Sequence, residues 1–115
     1  MDIEFYKTAD GYEPVQEFLD SLEPKMKAKT LRTIDLLEKN GTSLRLPYSE
    51  HLEDGIFELR TQQGSDISRV LYFFQVGNTA YLTNGFIKKT QKTPRAVLEL
   101  AKKYRDDHMR RHPNE

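Results

Sequence analysis

The sequence of 115 residues has no cysteine, three histidines, six glycines and no net charge at neutral pH. Without cysteine there can be no disulfide, no thiolate metal site and no cysteine nucleophile. His51, His108 and His112 do not make up a metal-ligand set, so neither a metal nor another cofactor is expected. The glycines are dispersed, which excludes a glycine-rich loop that would cradle a nucleotide phosphate. No nucleophile elbow of a serine hydrolase is present either. Apolar runs stop far short of the ~20 residues that a bilayer requires. The opening Met1-Asp2-Ile3-Glu4 lacks the basic and then apolar order of a secretory signal, and the expectation is a cytoplasmic chain with no membrane partner.

What is present suits one domain over residues 1–115, with six Tyr and six Phe to help fill a small core. The neutral total hides an uneven distribution. Residues 1–58 carry seven Lys or Arg against thirteen acids, whereas residues 59–115 carry eleven against five. Between Asp66 and Glu99 there is no acid at all, but Arg69, Lys88, Lys89, Lys92 and Arg95 all fall there. Such a run attracts a polyanion and speeds encounter with it, or else forms a solvated rim.

Ile3-Glu4-Phe5-Tyr6 is β-prone and Asp10-Gly11 ends it. Pro14 and Pro24 suit the first turns of two helices. In the second, Met26, Thr30, Leu31, Ile34 and Leu37 fall near one face, and Asn40-Gly41 is the stop. Three strands follow, over Ile56–Arg60, Ser68–Val76 and Thr79–Phe86, with Gly77-Asn78 as a two-residue hairpin turn. Thr93 is placed as N-cap and Pro94 as the first residue of a closing helix. The fold class expected is α+β: an antiparallel sheet of about four strands, two N-terminal helices and a C-terminal helix.

The hairpins fix which side chains share a face. A turn at Gly77-Asn78 pairs Val76 with Thr79, Arg69 with Phe86 and Ile67 with Lys88. A turn at Gly64-Ser65 sets Arg60 opposite Arg69, so Arg60, Arg69, Phe86 and Lys88 form one row across three strands. Like charges directly opposite each other destabilise a sheet. The row is suited to a phosphodiester, with guanidinium forks on the phosphate and the ring on a base. It is also consistent with Arg60 and Arg69 pairing to acids from the N-terminal half or snorkelling at the sheet edge.

Gly55-Ile56-Phe57-Glu58-Leu59-Arg60, Arg69-Val70-Leu71-Tyr72-Phe73 and the run from Gly85 through Phe86, Lys88, Lys89, Lys92 and Thr93 to Pro94 resemble the RelE/ParE toxin superfamily. The HigB-type branch, with its phage-derived members, is the most similar, and the order of elements agrees over nearly the whole chain. The resemblance implies a RelE-like fold and the toxin of a type II toxin–antitoxin pair. It implies a ribosome-dependent mRNA endonuclease (mRNA interferase), with mRNA and the ribosome as partners. A helix-turn-helix antitoxin of the HigA kind would neutralise it. Arg60, Arg69, Lys88 and Lys89 match the family's basic catalytic surface.

Metal-independent cleavage of RNA deprotonates a 2′-hydroxyl, stabilises the pentacoordinate phosphorane and protonates the 5′-oxygen. Arg60 and Arg69 suit the charge-stabilising role because they stay ionised and bind bidentately. Lys88 or Lys89 could do the same or move a proton, and Phe86 and Lys92 would contact substrate. His51 and Glu50, just before the Arg60 strand, are the candidate general bases. Glu58 is expected to pair with a neighbouring cation, Tyr72 to lie in the core, and His108 and His112 to sit near a frayed end. Two alternatives stand beside this one: a non-enzymatic ParE-like inhibitor of gyrase, and a catalytically silent relative that only regulates.

Overall fold

The computed structural model describes residues 1–75, 77–87 and 92–113. Its elements are β1 (Asp2–Phe5), α1 (Pro14–Asp20), α2 (Pro24–Asn40), β2 (Ser49–Glu53), β3 (Ile56–Gln63), β4 (Asp66–Gln75), β5 (Thr79–Ile87) and α3 (Arg95–Arg111). A 3₁₀ turn, Gly41–Ser43, follows α2. The class is α+β, but the sheet has five strands in the order β1-β5-β4-β3-β2 and is mixed. β1 runs parallel to β5, while the other neighbours are antiparallel. Hairpin signals mark only neighbours in sequence, so the long-range β1–β5 pairing left no local trace. Ser49–Glu53 has little β propensity and becomes a strand because it can add to the edge of β3.

Alternation along the strands divides the core between the two faces of the sheet. On one face, Leu59, Val70, Tyr72 and Leu82 meet Val15 and Leu19 of α1 and Met26, Ile34 and Leu37 of α2. On the other, Ile56, Leu71 and Phe73 meet Leu98 and Ala101 of α3. Each fully buried aliphatic side chain contributes roughly 1.5–3 kcal/mol. Two hydroxyl pairs also join α2 to the sheet, Thr30–Ser68 at 2.9 Å and Thr61–Thr33 at 2.8 Å. Leu31, expected on the buried face of α2, is 41% exposed, and Thr33 turns inward in its place.

Prolines open α1 and α2 as expected, and Gly41 closes α2 at a positive φ of 54°. α3 differs, because Pro94 is its N-cap and Arg95 its first residue. The Thr93 hydroxyl is directed to Glu58 rather than to the helix backbone. No helix among the described residues is long and apolar enough to cross a membrane.

Candidate functional site

The β3–β4 hairpin has the expected register, with Gln63 opposite Asp66 and Arg60 opposite Arg69. Arg69 is in turn opposite Phe86. The second pairing arises differently from the expectation. At the far end of the β4–β5 hairpin Thr79 pairs with Gln75, so the ladder starts one residue out of the expected register, whose Val76 lies outside the described residues. A bulge at Thr83, between the pairs Tyr72↔Leu82 and Leu71↔Asn84, shifts it back. The Thr83 hydroxyl lies 3.1 Å from the Leu71 carbonyl there. The two one-residue departures cancel before the ladder reaches Arg69.

Arg60, Arg69 and Phe86 therefore share the α3 face of the sheet, and Glu58, two residues before Arg60, shares it too. Arg69 and Glu58 are each 1% exposed, and their charged groups lie 3.2 Å apart. Arg69 also donates to the Thr93 hydroxyl at 3.4 Å, and Thr93 donates to the second oxygen of Glu58. The Arg60 Nε lies 3.7 Å from Glu58, and its Nη1 lies 3.7 Å from Glu50. Charges thus alternate along the chain Arg69, Glu58, Arg60, Glu50, which removes the like-charge repulsion of two opposed arginines. Arg60 reaches solvent more than Arg69 does, since its side chain is 18% exposed.

Phe86 is half-buried against the Ile56, Leu71 and Phe73 cluster, and the Arg69 guanidinium lies 5.9 Å from its ring centre. Of the two candidate bases, Glu50 pairs across from Glu58 and joins the row. His51 pairs with Phe57 on the opposite face, where the rings meet edge-on at 4.9 Å. Lys92 is exposed. Lys88 and Lys89, with the expected Ile67–Lys88 pairing, lie outside the described residues.

Tyr72 is in the core as expected, with its hydroxyl bonded to Ser49, and burial raises its pKa. His108 is not frayed. It is 6% exposed and packs with its ring centre 4.1 Å from that of Tyr81. His108 and His112 stand one helical turn apart, a spacing that two metal ligands can use. Among the described residues, however, no group of three or more His, Cys, Asp or Glu side chains could hold a metal ion.

Ionic contacts hold α3 over the row. Arg95 binds both Glu53 oxygens, at 2.7 and 2.9 Å, and Lys102 binds one of them at 2.5 Å. Together they lower the Glu53 pKa to about 2. Arg105 pairs with Asp54 at 3.0 Å in the β2–β3 turn. At the other end of α3, Tyr6 donates to Asp107 at 2.6 Å and stacks on Tyr104.

Sequence reasoning missed a second basic feature. A groove of about 600 Å³ lies between α2 and β3, lined by residues that include Lys29, Arg32, Tyr48, Arg60 and Gln62. The signal was available, since Lys25, Lys27, Lys29 and Arg32 follow one another with no acid between Glu23 and Asp35.

An α+β domain with a basic pair set across adjacent strands and covered by a C-terminal helix is compatible with the toxin class suggested by the sequence. The chain belongs to the family described as phage derived protein Gp49-like, whose model matches residues 17–106, more than three quarters of the sequence. That family is part of the RelE/ParE-like toxin superfamily and is associated with toxins of toxin–antitoxin pairs, which implies an antitoxin partner. No curated protein matches the sequence.

Proposed function

We propose that the chain is the toxin of a type II pair of the HigB kind and an mRNA interferase that cuts translated mRNA on the ribosome. The observation that carries this reading is the row in which Arg60 faces Arg69 and Arg69 faces Phe86. In the sequence, β5 is followed by a basic segment that holds Lys88, Lys89 and Lys92. Arg60, as the more accessible member, stabilises the negative charge of the phosphorane. Arg69 adds to the field and orients Glu58, which in turn holds Arg60. Lys88, Lys89 and Lys92 contribute positive charge from the segment before α3, and Phe86 offers a ring edge to a base. Glu50, 3.7 Å from Arg60, is better placed than His51 to take the 2′-proton. Attack of that oxygen on phosphorus expels the 5′-oxygen, which takes up a proton. The products are a 2′,3′-cyclic phosphate and a 5′-hydroxyl. A helix-turn-helix antitoxin of the HigA kind neutralises the toxin in a cytoplasmic setting.

The burial of Arg69 beneath Glu58 and Thr93 favours a second reading, in which the row is structural. The chain would then act without catalysis, as a ParE-like inhibitor of gyrase or as a regulatory relative. Induced expression of the chain alone, followed by mapping of 5′ ends on total mRNA, separates the three. Cuts inside translated frames support the nuclease. Growth arrest with intact mRNA and a DNA-damage response supports the gyrase target, and absence of arrest supports the regulatory role.

A further inference from the structure

The groove between α2 and β3 differs from the arginine row in one respect: the two cations that α2 brings to it are not neutralised. Lys29 and Arg32 are both exposed, three residues apart on α2, and neither forms an ion pair among the described residues. No carboxylate lines the groove. A second depression, of about 500 Å³, shares Lys29 and Arg32, adds Lys25, and is likewise free of acids. β2 pairs with β3 only as far as Ser49↔Leu59, so β3 beyond Arg60 forms an open sheet edge that makes one wall. Tyr48, 44% exposed, stands at this wall, and its carbonyl accepts the Arg60 amide at 2.7 Å.

A positive groove with an exposed ring beside it has the composition of a surface that tracks a single-stranded nucleic acid: cations hold the phosphates and the ring stacks on a base. Cations three apart on a helix are neighbours on its surface, so Lys29 and Arg32 can serve adjacent phosphates. We infer that the groove between α2 and the open edge of β3 binds the backbone of a single-stranded RNA, with Lys29 and Arg32 on phosphates and Tyr48 against a base. Arg60 lines the groove and also belongs to the row, so the bound strand would be led toward the proposed cleavage site. The inference rests on the RNA-cleaving reading and adds to it a binding track along the open edge of β3, beside α2.

The test is fluorescence anisotropy with the full chain and a labelled 2′-O-methyl oligouridine, which lacks the attacking hydroxyl, over a range of salt concentrations. Lys29→Glu with Arg32→Glu is expected to weaken binding at least tenfold at low salt. The salt slope should fall by about 1.4, because each phosphate contact on a single strand contributes about 0.7. Lys39→Glu with Lys103→Glu makes the same change in net charge at exposed positions outside the groove and is expected to leave both quantities near wild type. An equal loss in that control, or no binding by the wild-type chain, overturns the inference. So does equally tight binding of a decaglutamate peptide that is lost with the same two charges, since the occupant would then be an acidic protein segment. If the Lys29/Arg32 variant binds RNA normally while mRNA cuts persist and depend on Arg60, the groove assignment fails and the nuclease reading stands. Intact mRNA in induced cells would instead remove the nuclease reading.

Discussion

Arg69 and Glu58 form an ion pair at 3.2 Å in which both side chains are 1% exposed. A buried pair of this kind gains little over an apolar pair, because desolvation offsets the attraction, but losing one partner leaves an uncompensated charge. Glu58→Ala is therefore expected to destabilise the fold by about 3–5 kcal/mol. Glu58→Leu combined with Arg69→Met should recover much of that loss. Urea unfolding of the two variants and the wild type checks both statements, and a Glu58→Ala variant as stable as wild type would contradict the first.

Arg60 and Arg69 are separable by experiment because they differ in burial. Arg60→Ala removes the more exposed cation and is expected to lower cleavage by about 10²–10³-fold with little effect on folding. Arg69→Lys keeps a charge near Glu58 but loses the guanidinium fork, and its loss of activity should be accompanied by lower stability. Rates of mRNA cleavage and melting temperatures, measured on the same preparations, distinguish the two effects.

The Glu53 carboxyl is held at about 2 by hydrogen bonds from Arg95 and Lys102, against an ordinary value of 4.5. Its contribution to stability is complete above 4.5 and is lost as the pH falls toward 2, because the unfolded state takes up the proton first. Glu53→Gln should thus be less stable than wild type near neutral pH and should converge with it at about pH 2. Melting temperatures across that range test this, and parallel curves would contradict it.

Burial and the bond to Asp107 raise the Tyr6 phenol to about 12, from 10.0. Stability from this group is complete below pH 10 and is lost as the pH rises through 12, since the unfolded state gives up its proton first. Tyr6→Phe should flatten the alkaline limb of the stability curve between those values. An unchanged limb would mean that the phenol plays no part in it.

Gly85 lies where β5 passes beneath α1, and a Cβ there would run into the ring of Phe18. Gly85→Ala is expected to cost about 1–3 kcal/mol as an overpacked contact. Adding Phe18→Leu should restore part of it, which a two-variant unfolding comparison would reveal.

Much of this arrangement was legible before any coordinates. Prolines marked two helix starts, and Gly64-Ser65 fixed the register that sets Arg60 against Arg69. Arg69↔Phe86 was also foreseen, but it depends on the Thr83 bulge, which compensates a ladder that starts one residue out of the expected register. No local propensity announces such a bulge. β1–β5 pairing was hidden for a related reason, since it joins strands distant in sequence, and Ser49–Glu53, open between strand and loop in the sequence, is a strand because it pairs with β3. Within the site, charge counting pointed to a basic row but not to the depth at which Glu58 and Thr93 enclose Arg69. Burial of that kind depends on where α3 docks. The groove cations were passed over because a charged helix face usually serves only for solvation.

The central claim is that the arginine row cleaves RNA. Its most direct test supplies purified chain to ribosomes translating a defined message and labels the new 5′ ends with polynucleotide kinase, without prior phosphatase treatment. Discrete cuts inside codons that bear 5′-hydroxyl ends are expected with the wild-type chain, and their loss with Arg60→Ala. Intact message, or cutting that is undiminished in that variant, would contradict the claim.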